Sequence, residues 1–193
     1  MKNVKGYFAI LFLTASFFAY TQASNSSNST ELFPEKTDRL FNAIAQSNNI
    51  IIGQNITYNR YYNSRFNYSV AYPSSLLIPQ GESQNGDGQK FLSKDKSITL
   101  LVYGSHNALN QQLAELYRTQ SRSATREHPT RVVTYKTHGN DWFVVSGYEN
   151  GKVFYNKTIL RNGDFKVLEI QYKKSLQPKF DSIAAEISKS FKG

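Results

Sequence analysis

The nearest approach to a catalytic string in this chain is Gly104-Ser105-His106-Asn107. A serine nucleophile needs a base within hydrogen-bond reach, and esterase-type serines sit on a Gly-x-Ser-x-Gly turn, which is missing here. Adjacent Ser and His side chains in a loop do not normally face each other, so a solvated cap loop is the better reading. A milder chemistry is anion binding by Ser105, His106 and the first amides of a helix expected over 108–124. Cysteine is absent, which removes thiol catalysis, disulfides and a lipid-attachment cysteine. His106, His128 and His138 lack ligand spacing, and no His-Glu-x-x-His occurs. Asn85-Gly86-Asp87-Gly88 superficially resembles part of a calcium loop. Ser83 stands where its first Asp would be, however, and Lys94 where the bidentate Glu belongs. A Gly-rich turn fits better. Glu149, Asp141 and Asp164 sit beside turns and Glu82 and Asp87 share a loop, with nothing to pair them across a cleft. No catalytic, cofactor-binding or metal-binding residue is assigned, and the chain is expected not to be an enzyme.

Binding chemistry has more material. Aromatic and basic residues interleave from Tyr58 to Arg65, a strip that could stack on sugar rings or pair with acidic groups. The competing reading puts some of these tyrosines in the core or over a sheet edge. The candidate binding surface is Arg60, Tyr61, Tyr62, Arg65, Ser105, His106, Arg118, Arg122 and Arg126. Asn-x-Ser/Thr acceptors occur at Asn25, Asn28, Asn55, Asn67 and Asn156.

The elements that must carry these residues are organised by the stretch from Arg131 to Lys173. It holds Gly139-Asn140, Asn150-Gly151 and Asn162-Gly163, each flanked by runs rich in Val, Ile, Tyr, Phe and Trp. Asn-Gly adopts the positive φ values of a tight hairpin, so a four-strand antiparallel meander is expected. Turn positions set register. Glu149 should face Lys152, Trp142 face Ile159, Arg161 face Asp164, Tyr155 face Ile170 and Val153 face Tyr172. The first turn should set His138 against Asp141 and Tyr135 against Val144. One face then gathers Val133, Tyr135, Trp142, Val144, Tyr148, Val153, Tyr155, Ile159, Leu168, Ile170 and Tyr172 as core. The other, with Phe143, Val145, Phe154, Asn156, Thr158, Phe165, Val167 and Glu169, is half apolar and should be only partly covered.

Upstream, Arg65 to Tyr72 alternates, with Phe66, Tyr68, Val70 and Tyr72 on one side, and Pro73 ends it. A loop with Pro79 and Gly81 follows. Lys90–Ser93 and Ser97–Tyr103 form a hairpin, closed by Gly104. Asn107 should cap a helix reaching about Ala124, with Leu109, Leu113, Leu116 and Tyr117 at the 3.6 period. Pro178 suits the first turn of a last helix that buries Phe180, Ile183, Ala184, Ile187 and Phe191.

Residues 1–23 read as a secretory signal peptide: Lys2 and Lys5 precede the apolar run Tyr7 to Phe18, and cleavage is expected after Ala23. That run is shorter than the roughly 20 residues of a membrane span, so none is expected after cleavage. Residues 24–34 form a Ser/Asn-rich linker, and 35–60 an N-terminal segment with a short helix near 35–46. The formal charge is +9; removing Lys2 and Lys5 leaves 21 basic and 14 acidic residues, +7. Such a balance favours anionic partners, and export argues against nucleic acid.

Together these elements make an α+β protein with an antiparallel sheet of six or seven strands packed by helices. Phe66-Asn67-Tyr68-Ser69-Val70-Ala71-Tyr72-Pro73 resembles the opening strand of the PsbP-like fold. That fold is shared by an extrinsic photosystem II subunit and a Ran-binding nuclear import factor. The Asn85–Gly88 loop and Phe91-Leu92-Ser93 resemble small exported bacterial proteins of unassigned function. The resemblance spans roughly Tyr62 to Phe191 and marks 61–193 as a PsbP-like α+β domain, an α/β/α sandwich. It implies a binding or scaffold role more than catalysis. The expected function is an exported, periplasmic or secreted module that docks another protein. The alternatives are binding of an anionic envelope glycan or lipid, and inhibition of a toxin or cell-wall hydrolase.

Overall fold

A computed structural model describes residues 56–193. The expected signal peptide, linker and 35–46 helix lie outside the described residues. The chain runs β1 (Tyr58–Asn63), β2 (Tyr68–Pro73), β3 (Ile78–Glu82), β4 (Gly88–Leu92), β5 (Ile98–His106), α1 (Leu113–Gln120), β6 (Val132–His138), β7 (Trp142–Glu149), β8 (Lys152–Arg161) and β9 (Asp164–Lys173). A 3-10 turn, Lys174–Leu176, leads into α2 (Gln177–Ser190). β3 to β9 form one antiparallel sheet in the order β3-β4-β5-β9-β8-β7-β6, and β1 and β2 pair as a separate hairpin.

Two of the three expected turns set the register as read. Asn150 and Gly151 have φ of 50° and 74°, and Asn162 and Gly163 have 55° and 78°. Positive φ at both central residues is what a two-residue hairpin matched to strand twist requires. Glu149 pairs with Lys152, Trp142 with Ile159, Arg161 with Asp164, Tyr155 with Ile170 and Val153 with Tyr172. The first hairpin departs from expectation. His138 pairs with Phe143 and Tyr135 with Ser146, and a bulge falls between Val133 and Tyr135. The Gly139 N–H donates to the Trp142 carbonyl at 2.8 Å, so Asn140 and Asp141 make the corner. Gly139 serves another end, since a Cβ there would collide with the Trp142 indole.

Both faces of the sheet are core. On one, α2 and the β1–β2 hairpin cover Phe91, Leu100, Leu168, Ile170 and Tyr172. Tyr72 meets Phe91 at 4.5 Å between ring centroids, Tyr172 meets Phe180 at 4.9 Å, and Tyr68 meets Phe191 at 5.8 Å. Phe180, Ile183, Ala184, Ile187 and Phe191 are all buried, as their spacing predicts. Each large one contributes about 1.5–3 kcal/mol by leaving water. On the other face, Leu116 of α1 packs on Phe165 and Val167, and Tyr117 lies 5.6 Å from Phe143. Phe143, Val145, Phe154, Phe165 and Val167 are buried, so this face is better covered than its mixed composition suggests.

Three local expectations change. The helix after Asn107 begins only at Leu113, because Asn107 Oδ1 accepts from the Gln111 N–H at 2.8 Å and Asn110 has φ 49°. These close a loop, leaving Leu109 exposed rather than on an apolar stripe. The stretch with Pro79 and Gly81 is the edge strand β3, not a loop. β5 continues past Gly104 to His106. Among the described residues no helix is long and apolar enough to cross a membrane.

Candidate functional site

Alternation along β6, β7 and β8 sends Tyr135, Thr137, Trp142, Val144, Tyr155, Lys157, Ile159 and Arg161 to the same face as α2. The C-terminal end of α2 and the residues after it do not close over this corner. A cleft of about 520 Å³ remains, walled on the other side by Ala185, Ser188, Lys189, Phe191, Lys192 and Gly193.

Its charges are held in place. Lys157 Nζ donates to the carbonyls of Ser188 at 3.0 Å and Phe191 at 3.1 Å, joining the Phe191 N–H on the Ser188 carbonyl at the end of α2. Burial lowers the Lys157 pKa. Arg161 Nε donates to Asp141 Oδ2 at 3.0 Å, and Nη1 donates to the Gly193 carbonyl. Lys166, on the same face, donates to the Arg161 carbonyl at 3.2 Å; burial lowers its pKa, and Arg161 adds to the effect. Lys189 lies 3.7 Å from Glu186. The Lys192 backbone exchanges hydrogen bonds with Ser69, at 2.8 and 3.1 Å, which ties the tail to β2. Burial, with a smaller contribution from Tyr135, raises the Tyr155 pKa, so this phenol stays neutral. The lining therefore offers aromatic and apolar walls, four cationic side chains and no Asp or Glu side chain. The chemistry of such a lining would suit an apolar body carrying negative charge.

The residues singled out from sequence do not converge there. Arg60 donates to Ser69 Oγ at 3.2 Å, and Tyr62 to Asn67 Oδ1 at 2.9 Å, both on the exposed side of the β1–β2 hairpin. Tyr61 is packed against Tyr68 and Phe91, with its hydroxyl 2.6 Å from Glu82 Oε1. Arg65 and His106 do come together, through Phe66: the guanidinium lies 5.2 Å above that ring and the imidazole 5.0 Å from it. His106 Nδ1 is 2.7 Å from Asp164 Oδ1, while Ser105 lies inside β5, one residue before its end. With α1 starting at Leu113, no helix N-terminus stands beside them. Arg118, 3.7 Å from Glu115, belongs with exposed Arg122 and Arg126 to the α1 side of the sheet.

Two further groups are structural. Asp87 holds the Asn85–Gly88 turn closed by accepting from Ser83 Oγ and, at 2.8 Å, from Asn85 Nδ2. Among the described residues no cluster of three His, Asp or Glu could hold a metal. Under α1, Arg131 is buried 4.2 Å from the Phe154 ring centroid and 3.4 Å from Glu149. His128 Nδ1 reaches the same carboxylate at 2.7 Å. Asn156 is 0% exposed, so it cannot accept a glycan in the folded chain; Asn67 is exposed.

A seven-stranded antiparallel sheet between helical layers, with a β-hairpin packed beside the last helix, is the PsbP-like α+β fold. The chain is similar to cyanobacterial PsbP from Synechocystis sp. PCC 6803, with a TM-score of 0.52 and 13% identity over 72% of this chain and 94% of that one. At that identity the likeness is one of fold alone. No family model and no curated protein matches the chain.

Proposed function

We propose that the protein is an exported, non-enzymatic binding module that docks another envelope or secreted protein in the cleft between β6–β8 and the end of α2. The observation that carries this reading is the cleft itself: Tyr135, Trp142 and Tyr155 on its walls, Lys157, Arg161, Lys189 and Lys192 among them. Rings supply contact area at low entropic cost, and charge supplies orientation and partner choice. The signal-like N-terminus supports export, and the PsbP-like fold is compatible with a scaffold role.

The test is retention from envelope extract at low salt on the immobilised chain without residues 1–23. Wild type is compared with folded Tyr135→Ala and Lys192→Glu variants. A protein retained by wild type and lost from both variants is expected. One retained equally by all three would remove the cleft from the function, and no retained protein at all would remove docking.

A second reading, binding of an anionic envelope glycan or lipid, is favoured by four cationic side chains with no Asp or Glu side chain among the lining residues. It differs in salt response. Polyanion affinity should fall more steeply with ionic strength than that of a protein contact shared between rings, backbone and a few charges.

A further inference from the structure

We infer that β6 is the docking edge: an extended acidic segment of the partner adds to it as an eighth strand and sends alternate side chains into the cleft. This rests on the cleft being a protein-docking site and adds the mode of docking and the chemistry of the partner.

The sheet has two edges, and they are unlike. β3 is five residues long, carries Pro79 with no N–H to offer, has Gly81 at φ 91°, and loses register between Pro79 and Glu82. These are features that stop a sheet from recruiting another strand. β6 has seven residues with neither proline nor glycine, and Val132 and Tyr135 are 51% and 37% exposed. One end is closed, where Ser123 Oγ accepts from the Val133 N–H at 3.1 Å beside the bulge. From Thr134 to His138 no strand among the described residues pairs with the outer edge. Alternate amides and carbonyls there face outward.

The pleat decides where an added strand would project. Tyr135 and Thr137 line the cleft, and Lys136 between them alternates to the other face. A strand laid beside β6 keeps this alternation, so every second side chain would enter the cleft next to Tyr135. Charge then selects the occupant. No Asp or Glu side chain lines the cleft, and Lys192 makes no ion pair among the described residues. A segment whose cleft-facing positions, every second residue, mix carboxylates with an aromatic or apolar residue would present the former toward Lys192 and stack the latter on Tyr135. Backbone pairing supplies affinity in such an arrangement, and the alternate side chains supply specificity.

Trp142 is the only tryptophan in the chain, so its emission reports directly on the cleft. The full chain is titrated with a short peptide that carries glutamate and tyrosine in turn at every second position and threonine between them, and with its lysine-for-glutamate counterpart. Two N-methylated forms of the acidic peptide, each blocking one alternate set of amides, complete the series. The acidic peptide should shift the emission, and the lysine peptide should bind at least about tenfold more weakly. One N-methylated form should lose about as much while the other binds like its parent, because only one set of amides faces β6. Tyr135→Ala should weaken the acidic peptide by a similar factor in a protein whose circular dichroism is unchanged. Equal binding by both N-methylated forms would overturn strand addition and leave cleft docking standing. Equal binding by the lysine peptide would overturn the acidic partner. Silence toward every peptide, or a sulfated glycan or anionic vesicle outcompeting them, would overturn the proposal, while retention from extract decides separately whether the cleft docks a protein.

Discussion

Asn156 lies at the centre of the sheet with neither its amide nitrogen nor its amide oxygen hydrogen-bonded, and Thr158 Oγ1 two residues along is in the same state. Buried polar atoms without partners disfavour the folded state by about 1–3 kcal/mol each. Across the strand pair from Asn156 stands Glu169, whose pKa is pushed up to about 7 by burial; the hydrogen bond from Tyr103 Oη at 3.3 Å opposes the shift. In the unfolded chain this carboxyl releases its proton near 4.5. Between those two values the folded protein keeps a proton that the unfolded chain has released. The contribution of Glu169 to stability is therefore fully present below pH 4.5, falls as pH rises toward 7, and is lost above it. Glu169→Gln should flatten that decline. Urea unfolding at pH 5 and pH 8 measures it, and an unchanged difference between the two pH values would show that Glu169 is not the group responsible. The polar character of this stripe was legible, since Asn156, Thr158 and Glu169 fall on one face by alternation. Its burial was not, because burial depends on what lies above the sheet.

Among elements, the features written locally were readable and those written by tertiary contact were not. Asn150-Gly151 and Asn162-Gly163 need positive φ, a property of the dipeptide itself, and both hairpins follow. Gly139 is a glycine because the Trp142 ring lies against it, which no local pattern reveals. β3 hid behind Pro79 and Gly81, residues an edge strand tolerates and a central strand does not. Gly104 is the most instructive case, for it lies inside β5 rather than ending it. A Cβ there would run into Cβ and Cγ of Phe66, the buried ring at the tip of the β1–β2 hairpin. This contact fastens the hairpin to the sheet. Gly104→Ala should therefore destabilise by about 1–3 kcal/mol through overpacking. In a Phe66→Leu background the loss should be smaller, because a slimmer side chain can give way. Additive losses by urea denaturation would mean that the glycine serves something other than this contact.

At the scale of the whole molecule, the candidate site joins the meander to the end of the chain. Alternation had already grouped Tyr135, Trp142 and Tyr155 as core, and Tyr155 is buried; the sequence has no sign that α2 stops short of Tyr135 and Trp142. The basic and aromatic residues picked from sequence are instead divided between the two sides of the sheet, because a linear strip carries no information about layers. The sheet order also implies a gradient of local stability. β9 and β8 are paired on both flanks and packed on both faces, whereas β3 and β6 have one neighbour each. Opening an edge strand exposes less apolar surface than opening a central one, so it takes less free energy. Amide hydrogen exchange in the free protein should therefore be slowest in β8 and β9. It should be faster in β6 from Thr134 to His138, and the Val133 amide should be slower than its neighbours because Ser123 accepts from it. An acidic strand added at the edge would slow the outward-facing β6 amides and leave β3 unchanged. Protection of β6 equal to that of β8 in the free protein would mean that the edge is already closed, and no segment could then pair there without first displacing what covers it.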